Sequence, residues 1–205
     1  MKAVFNYIIS PVSSRYNNKK VIDTENGEKE IILNTEIFNH QYVSRNATVL
    51  AVPTQVDTPI KVGDEVVVHH NIFRRWHDVR GIERNSSSFI SESEYTCSPD
   101  QLFLYKRDKD WTAMTGYSFI QPVEETDKLS TDKEKELVGI VRYIDNSDYE
   151  IVAIGDLVGF TPSSEFEFIV NGVRMYRVLT KDICFNYGDN EGKETAYNPS
   201  WAKGS

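Results

Sequence analysis

Apolar residues along this chain come in short runs that often alternate with polar ones. Ile8-Ile9-Ser10-Pro11-Val12, Thr48-Val49-Leu50-Ala51-Val52, Glu65-Val66-Val67-Val68, Phe119-Ile120-Gln121-Pro122-Val123 and Gly139-Ile140-Val141-Arg142-Tyr143 are typical. Gly, Pro, Asn and Ser punctuate them, which is the pattern of strands and turns. No long segment keeps the 3.6-residue period of an amphipathic helix. Phe166-Glu167-Phe168-Ile169-Val170 and Val173-Arg174-Met175-Tyr176-Arg177-Val178 flank Asn171-Gly172, which predicts a hairpin closed by a two-residue type I′ turn. The best helical stretch, residues 131–136, is nearly all charged and has no core face, so it reads as a solvated loop. The fold class expected is all-β.

The runs repeat. Lys61-Val62-Gly63-Asp64-Glu65-Val66-Val67-Val68 answers to Ala153-Ile154-Gly155-Asp156-Leu157-Val158-Gly159-Phe160. Gly can take the positive φ of a tight turn, Asp can accept hydrogen bonds from that turn's backbone, and the apolar residues then enter a sheet. Upstream, Thr48-Val49-Leu50-Ala51-Val52 pairs with Gly139-Ile140-Val141-Arg142-Tyr143, and Ile8-Ile9-Ser10-Pro11-Val12 with Phe119-Ile120-Gln121-Pro122-Val123. Downstream, Tyr95-Thr96-Cys97-Ser98-Pro99-Asp100-Gln101-Leu102-Phe103 answers to Tyr176-Arg177-Val178-Leu179-Thr180-Lys181-Asp182-Ile183-Cys184. Four matched elements in one order indicate a duplication. The expected organisation is a first domain over residues 1–114, a second over 115–187, and a polar tail over 188–205 that is extended over the surface or mobile. The linker falls around residues 108–116.

Composition narrows the class. The chain has 205 residues, 40% of them hydrophobic and 12% aromatic, enough for two small β-domains. No segment approaches the ~20 apolar residues of a membrane helix, and the N-terminus reaches Asn6 too soon for a signal-peptide core. Two cysteines, Cys97 and Cys184, each sit in an apolar run. They support no disulfide framework, read as core residues, and point to a reducing cytoplasm. Net charge is −8, unevenly spread. Residues 1–114 carry 14 Lys and Arg against 15 Asp and Glu; residues 115–205 carry 9 against 16. An acidic surface disfavours general nucleic-acid binding.

At the repeated elements the sequence resembles GroES, the 10 kDa co-chaperonin family. The family has a "G-x-V-L-A-V-G"-like strand, a "V-K-V-G-D-x-V" turn and strand, and a "V…S-E-S-D-I-L-A"-type ending. Thr48-Val49-Leu50-Ala51-Val52, Ile60-Lys61-Val62-Gly63-Asp64-Glu65-Val66 and Ser98-Pro99-Asp100-Gln101-Leu102-Phe103 take those places in the first copy. Gly139-Ile140-Val141-Arg142-Tyr143, Ile154-Gly155-Asp156-Leu157-Val158 and Leu179-Thr180-Lys181-Asp182-Ile183 take them in the second. The motifs are short and cover about two-thirds of the chain. Two such units in one chain are similar to the double co-chaperonin of chloroplasts. The Asn- and Tyr-rich style is closer to co-chaperonin-like proteins of large marine bacteriophages. The resemblance implies two tandem GroES-like small β-barrels with long loops, carrying structural turns at Gly63, Asp64, Gly155 and Asp156. It departs from the family in leaving little room for the roof hairpin at residues 53–59 and 145–150, and in a long insertion at residues 74–93.

Such proteins grip a GroEL-type chaperonin ring through a mobile loop ending in an aliphatic triplet. The equivalent stretch, residues 17–47, contains Ile31, Ile32 and Leu33 between charged residues. The resemblance therefore implies a homo-oligomeric co-chaperonin of the bacterial cytoplasm, with no enzymatic activity, cofactor, metal or membrane partner. Two other readings stay open: an ordinary buried strand at Ile31–Ile32–Leu33, and a phage structural or assembly protein that keeps the fold without chaperonin binding. The second copy's loop is short, charged and lacks a triplet.

Among other candidates, Arg74, Arg75, Trp76, Arg80 and Arg84 form a basic–aromatic cluster that single-stranded nucleic acid could stack on. A protein contact or a solvated surface is the commoner use of such a loop. His69, His70 and His77 with Asp78 suggest a metal, but neighbouring strand residues point to opposite faces, so His69 and His70 can hardly share one ion. No nucleophile–base pair, phosphate loop or carboxylate pair stands out.

Overall fold

The computed structural model describes residues 2–17, 19–24, 27–32, 42–127, 129–145, 147 and 152–204. The chain is all-β, with short 3-10 turns and no α-helix among the described residues. No helix there is long and apolar enough to cross a membrane. It divides into two compact units, Met1–Asp110 and Trp111–Ser205.

In the first unit the strands are β1 (Tyr7–Pro11), β2 (Lys19–Thr24), β3 (Gly27–Ile32), β4 (Asn46–Ala51) and β5 (Glu65–Val68). β6 (Arg75–His77), β7 (Glu83–Asn85), β8 (Phe89–Ser91), β9 (Glu94–Cys97) and β10 (Leu102–Arg107) follow, and β11 (Asp110–Ala113) begins at the last residue of this unit. The seven-stranded sheet runs β11-β10-β5-β4-β1-β9-β8, while β2-β3 and β6-β7 are separate two-stranded ribbons. Alternation decides the inward face. Ala47 and Val49 of β4 are buried between partly exposed neighbours, as are Tyr95 and Cys97 of β9. They meet Ile9, Val66, Val68, Leu102 and Leu104, all fully or almost fully buried.

The second unit holds β12 (Tyr117–Glu124), β13 (Glu134–Ile144), β14 (Asp156–Phe160), β15 (Phe166–Val170), β16 (Val173–Leu179) and β17 (Ile183–Asp189). Its sheet runs β15-β16-β12-β13-β14-β17. Replacing each strand by its counterpart turns this into β8-β9-β1-β4-β5-β10, the order of the first unit. The register agrees as well. Ile9 opposes Val49 and Pro11 opposes Ala47, as Ile120 opposes Val141 and Pro122 opposes Gly139. The ladders share a slip, between Ile8 and Ile9 and between Phe119 and Ile120, and the second slips again between Pro122 and Glu124. Ile120, Val141, Ile144, Val152, Val158, Phe160 and Val178 form the second core.

Neither sheet closes into a hydrogen-bonded barrel among the described residues. Closure requires the two outermost strands to pair, and the ladders end at β8 and β11 in one unit and at β15 and β17 in the other. β8 is three residues long and its register shifts between Phe89 and Ser91, too short and irregular a strand to zip across.

The Asn171-Gly172 hairpin forms as expected, with φ of 51° and 72° at its two central residues. Residues 131–136 differ from the expected loop, because β13 begins at Glu134. Bonding partners from β16 and the tail hold this charged stretch straight. The tail lies along the second unit: Ala196 bridges Val123, and the Tyr197 N–H donates to the Pro122 carbonyl at 2.8 Å. Ala202 is fully buried.

Candidate functional site

The two Gly-Asp turns are built alike. Gly63 and Gly155 have φ of 93° and 99°, a region that only glycine enters at little cost. Their N–H groups donate to the carbonyls of Val49 and Val141 at 2.8 and 2.9 Å. Asp64 Oδ2 accepts the Lys61 N–H at 2.9 Å, and Asp156 Oδ2 accepts the Ala153 N–H at 2.9 Å. A side chain from the closing strand then reaches each carboxylate: Arg107 Nη2 at 3.0 Å on Asp64, and Asn186 Nδ2 at 2.8 Å on Asp156. In both turns the carboxylate accepts from the turn's own backbone and from the closing strand.

Of the aliphatic triplet, the backbone of Ile31 and Ile32 ends β3, opposite Lys20 and Lys19 of β2. The side chains of both, and all of Leu33, lie outside the described residues. β3 belongs to neither large sheet.

The basic–aromatic cluster falls on the β6-β7 ribbon, with Trp76 opposite Arg84. Two of its four arginines meet carboxylates. Arg75 Nη1 meets Glu83 at 2.8 Å, and its guanidinium stands 5.0 Å from the centre of the Tyr16 ring. Arg84 forks onto Asp78 Oδ2 at 3.0 and 3.1 Å. Asp78 Oδ1 also accepts the N–H groups of Arg80 and Ile82. The Ile82 and Arg80 backbone bonds and the Arg84 charge hold the Asp78 carboxyl below its usual range, against its partial desolvation. An incoming phosphate would have to compete with these carboxylates, which sequence alone did not reveal.

His69 and His70 do not sit on opposite faces of a strand. β5 ends at Val68, and His70 opens a 3-10 turn in which His69 Nδ1 accepts the Asn71 N–H at 3.1 Å. The two rings therefore stack, with centroids 4.4 Å apart. Among the described residues no group of three or more His, Cys, Asp and Glu side chains could hold a metal ion.

The cysteines part company. Cys97 is buried, and burial pushes its thiol up to about 12. Cys184 is exposed rather than core, because it lies on β17, the outer strand of its sheet. There Phe185 and Tyr187, 61% and 56% exposed, stack at 6.2 Å.

A densely connected polar group was missed from sequence. Arg174, on β16, bonds Glu134, Glu167 at 2.6 Å and the Tyr176 hydroxyl at 2.5 Å, while Tyr176 donates to Glu134. Burial works against the Arg174 charge, but the bonds to Glu134 and Glu167 hold its pKa above the ordinary value. The signal lay in Glu134-Lys135-Glu136-Leu137-Val138, where alternate residues run into the strand. The chain matches no protein-family model and no curated protein.

Proposed function

We propose that the chain is a co-chaperonin-like protein, two GroES-like barrels in tandem, that docks on or caps a GroEL-type chaperonin ring. The observation supporting this most is a shared strand order combined with an excursion found in only one unit. β2 and β3 form a ribbon of their own between β1 and β4. The matching interval between β12 and β13 contains no strand among its described residues. An isolated two-stranded ribbon is marginal in water, so it gains by laying its aliphatic residues on a partner. Ile31, Ile32 and Leu33 are the residues that docking would bury, at about 25 cal/mol per Å2 of apolar surface. Assembly of copies into a ring would multiply a modest single-site affinity. Cytoplasmic residence follows from the partner.

The ladder that puts Ile31 and Ile32 opposite Lys20 and Lys19 also suits a second reading, a structural or assembly protein of a phage in which β3 is an ordinary strand. Capture of a bacterial chaperonin with ADP or ATP present separates the two. Replacing Ile31, Ile32 and Leu33 together by Ser should abolish nucleotide-dependent capture and leave the melting temperature nearly unchanged. A large fall in melting temperature, or no capture by the wild-type chain, would remove the co-chaperonin reading.

A further inference from the structure

The tail does more than cover apolar surface. Asn198 caps the Asn171-Gly172 hairpin twice, its Nδ2 donating to the Gly172 carbonyl at 3.0 Å and its Oδ1 accepting the Arg174 N–H at 3.1 Å. The Ala202 N–H returns to the Pro199 carbonyl at 3.1 Å. These bonds fix Tyr197, Pro199 and Trp201 as the walls of a cavity of about 470 Å3, a size suited to a small ligand or an inserted side chain. Its floor is the Arg174–Glu134 pair, and Asp132, Lys133 and Glu136 form its rim.

The lining decides the sign of what fits. It carries three carboxylates (Asp132, Glu134, Glu136) against two cations (Lys133, Arg174). Arg174 is neutralised again by Glu167 from outside the lining. An anionic group would face this excess with the one buried guanidinium already engaged. A purely apolar group would have to cover an ionic floor. A cation gains from the exposed Asp132 and Glu136 carboxylates, Glu134 being held by Arg174 and Tyr176, and from the indole and phenol faces, since aromatic rings attract cations at about 0.5–2 kcal/mol each. Trp201 is 55% exposed, so its ring is accessible from solvent. Residues 115–205 carry 9 basic against 16 acidic residues, which draws a positive segment toward this unit.

We infer that the cavity between the tail and the start of β13 receives a lysine or arginine side chain from a partner protein. The inference is independent of the docking triplet, which lies in the other unit.

The test uses the whole chain, isotope-labelled, and a synthetic Gly-Ser decapeptide bearing one central Arg, Lys or Glu. The Arg and Lys peptides should shift the Trp201 indole N–H saturably while the Trp76 and Trp111 indoles stay in place. Added salt should weaken the effect. Trp201→Ala should reduce affinity roughly tenfold, equivalent to about 1.4 kcal/mol. Because that change could loosen the tail, Glu136→Gln serves as a second variant. Glu136 is exposed, and its loss should weaken binding roughly threefold. Equal shifts from the Glu peptide, an equal response of all three indoles, or unchanged affinity in both variants would overturn the inference.

Discussion

Asp64 and Asp156 stand in the same place in the two units, each accepting through Oδ2 the backbone N–H three residues upstream at 2.9 Å. The bond is the physical content of the Gly-Asp repeat. It ties the approach to the sheet to the start of the strand that follows.

Removing it should cost stability in either unit. Asp64→Ala leaves the Lys61 N–H without its acceptor and Arg107 without its carboxylate, and Asp64 is itself buried. The expected loss is about 1–3 kcal/mol. Asp156→Ala should cost less, since its closing-strand partner is the neutral, exposed Asn186. Denaturant midpoints for the two variants check the order.

Gly139 should not accept a methyl group. A Cβ there would lie 2.5 Å from the Gln121 carbonyl oxygen and 2.6 Å from Ile120 Cγ2, and the backbone atom cannot swing aside. Gly139→Ala is expected to destabilise by about 1–3 kcal/mol, measured by thermal or urea unfolding.

The β6-β7 ribbon should loosen in acid. The Asp78 carboxyl is held below its ordinary value of 3.8 in the folded chain. Its contribution is therefore complete above 3.8 and is lost as pH falls through the lower, folded value. Amide exchange and chemical shifts of residues 75–85 followed downward in pH should report this change, and Asp78→Asn should remove it.

One thiol should react and one should not. Cys184 is exposed and Cys97 is buried with its thiol raised to about 12, so a thiol reagent near neutral pH should modify Cys184 in the folded chain. Cys97 should follow only on unfolding. Mass spectrometry of the labelled protein before and after denaturant distinguishes them, and rapid native labelling of Cys97 would contradict the burial described.

The legible parts of this fold were those in which a local rule demands a particular residue. Gly63 and Gly155 need positive φ, and Asn171-Gly172 needs it twice, so turns and strand starts could be read directly. Strand order followed less directly, through the repeat. What could not be read depends on partners far along the chain. Glu134 becomes a strand residue because Arg174 and Tyr176 meet it from forty or more positions away. Cys184 looks like core in sequence, but β17 forms the outer strand of its sheet and leaves it exposed. His69 and His70 share a side because the strand stops one residue before them. The cavity beside Trp201 exists only because the tail returns to β12 at Ala196, and no spacing in the sequence announces that return.

A chain that writes the same topology twice must also avoid mixing the two copies as it folds, since neighbouring look-alike domains are prone to exchange strands. Gly139 marks one place where the two copies are not interchangeable. Its counterpart by register on both sides is Ala47, which opposes Pro11 and Val66 where Gly139 opposes Pro122 and Val158. If β4 were laid against β12 in place of β13, the methyl of Ala47 would fall where only hydrogen fits, against the Gln121 carbonyl. That pairing would meet the overlap with a backbone atom, which no side-chain rotation relieves.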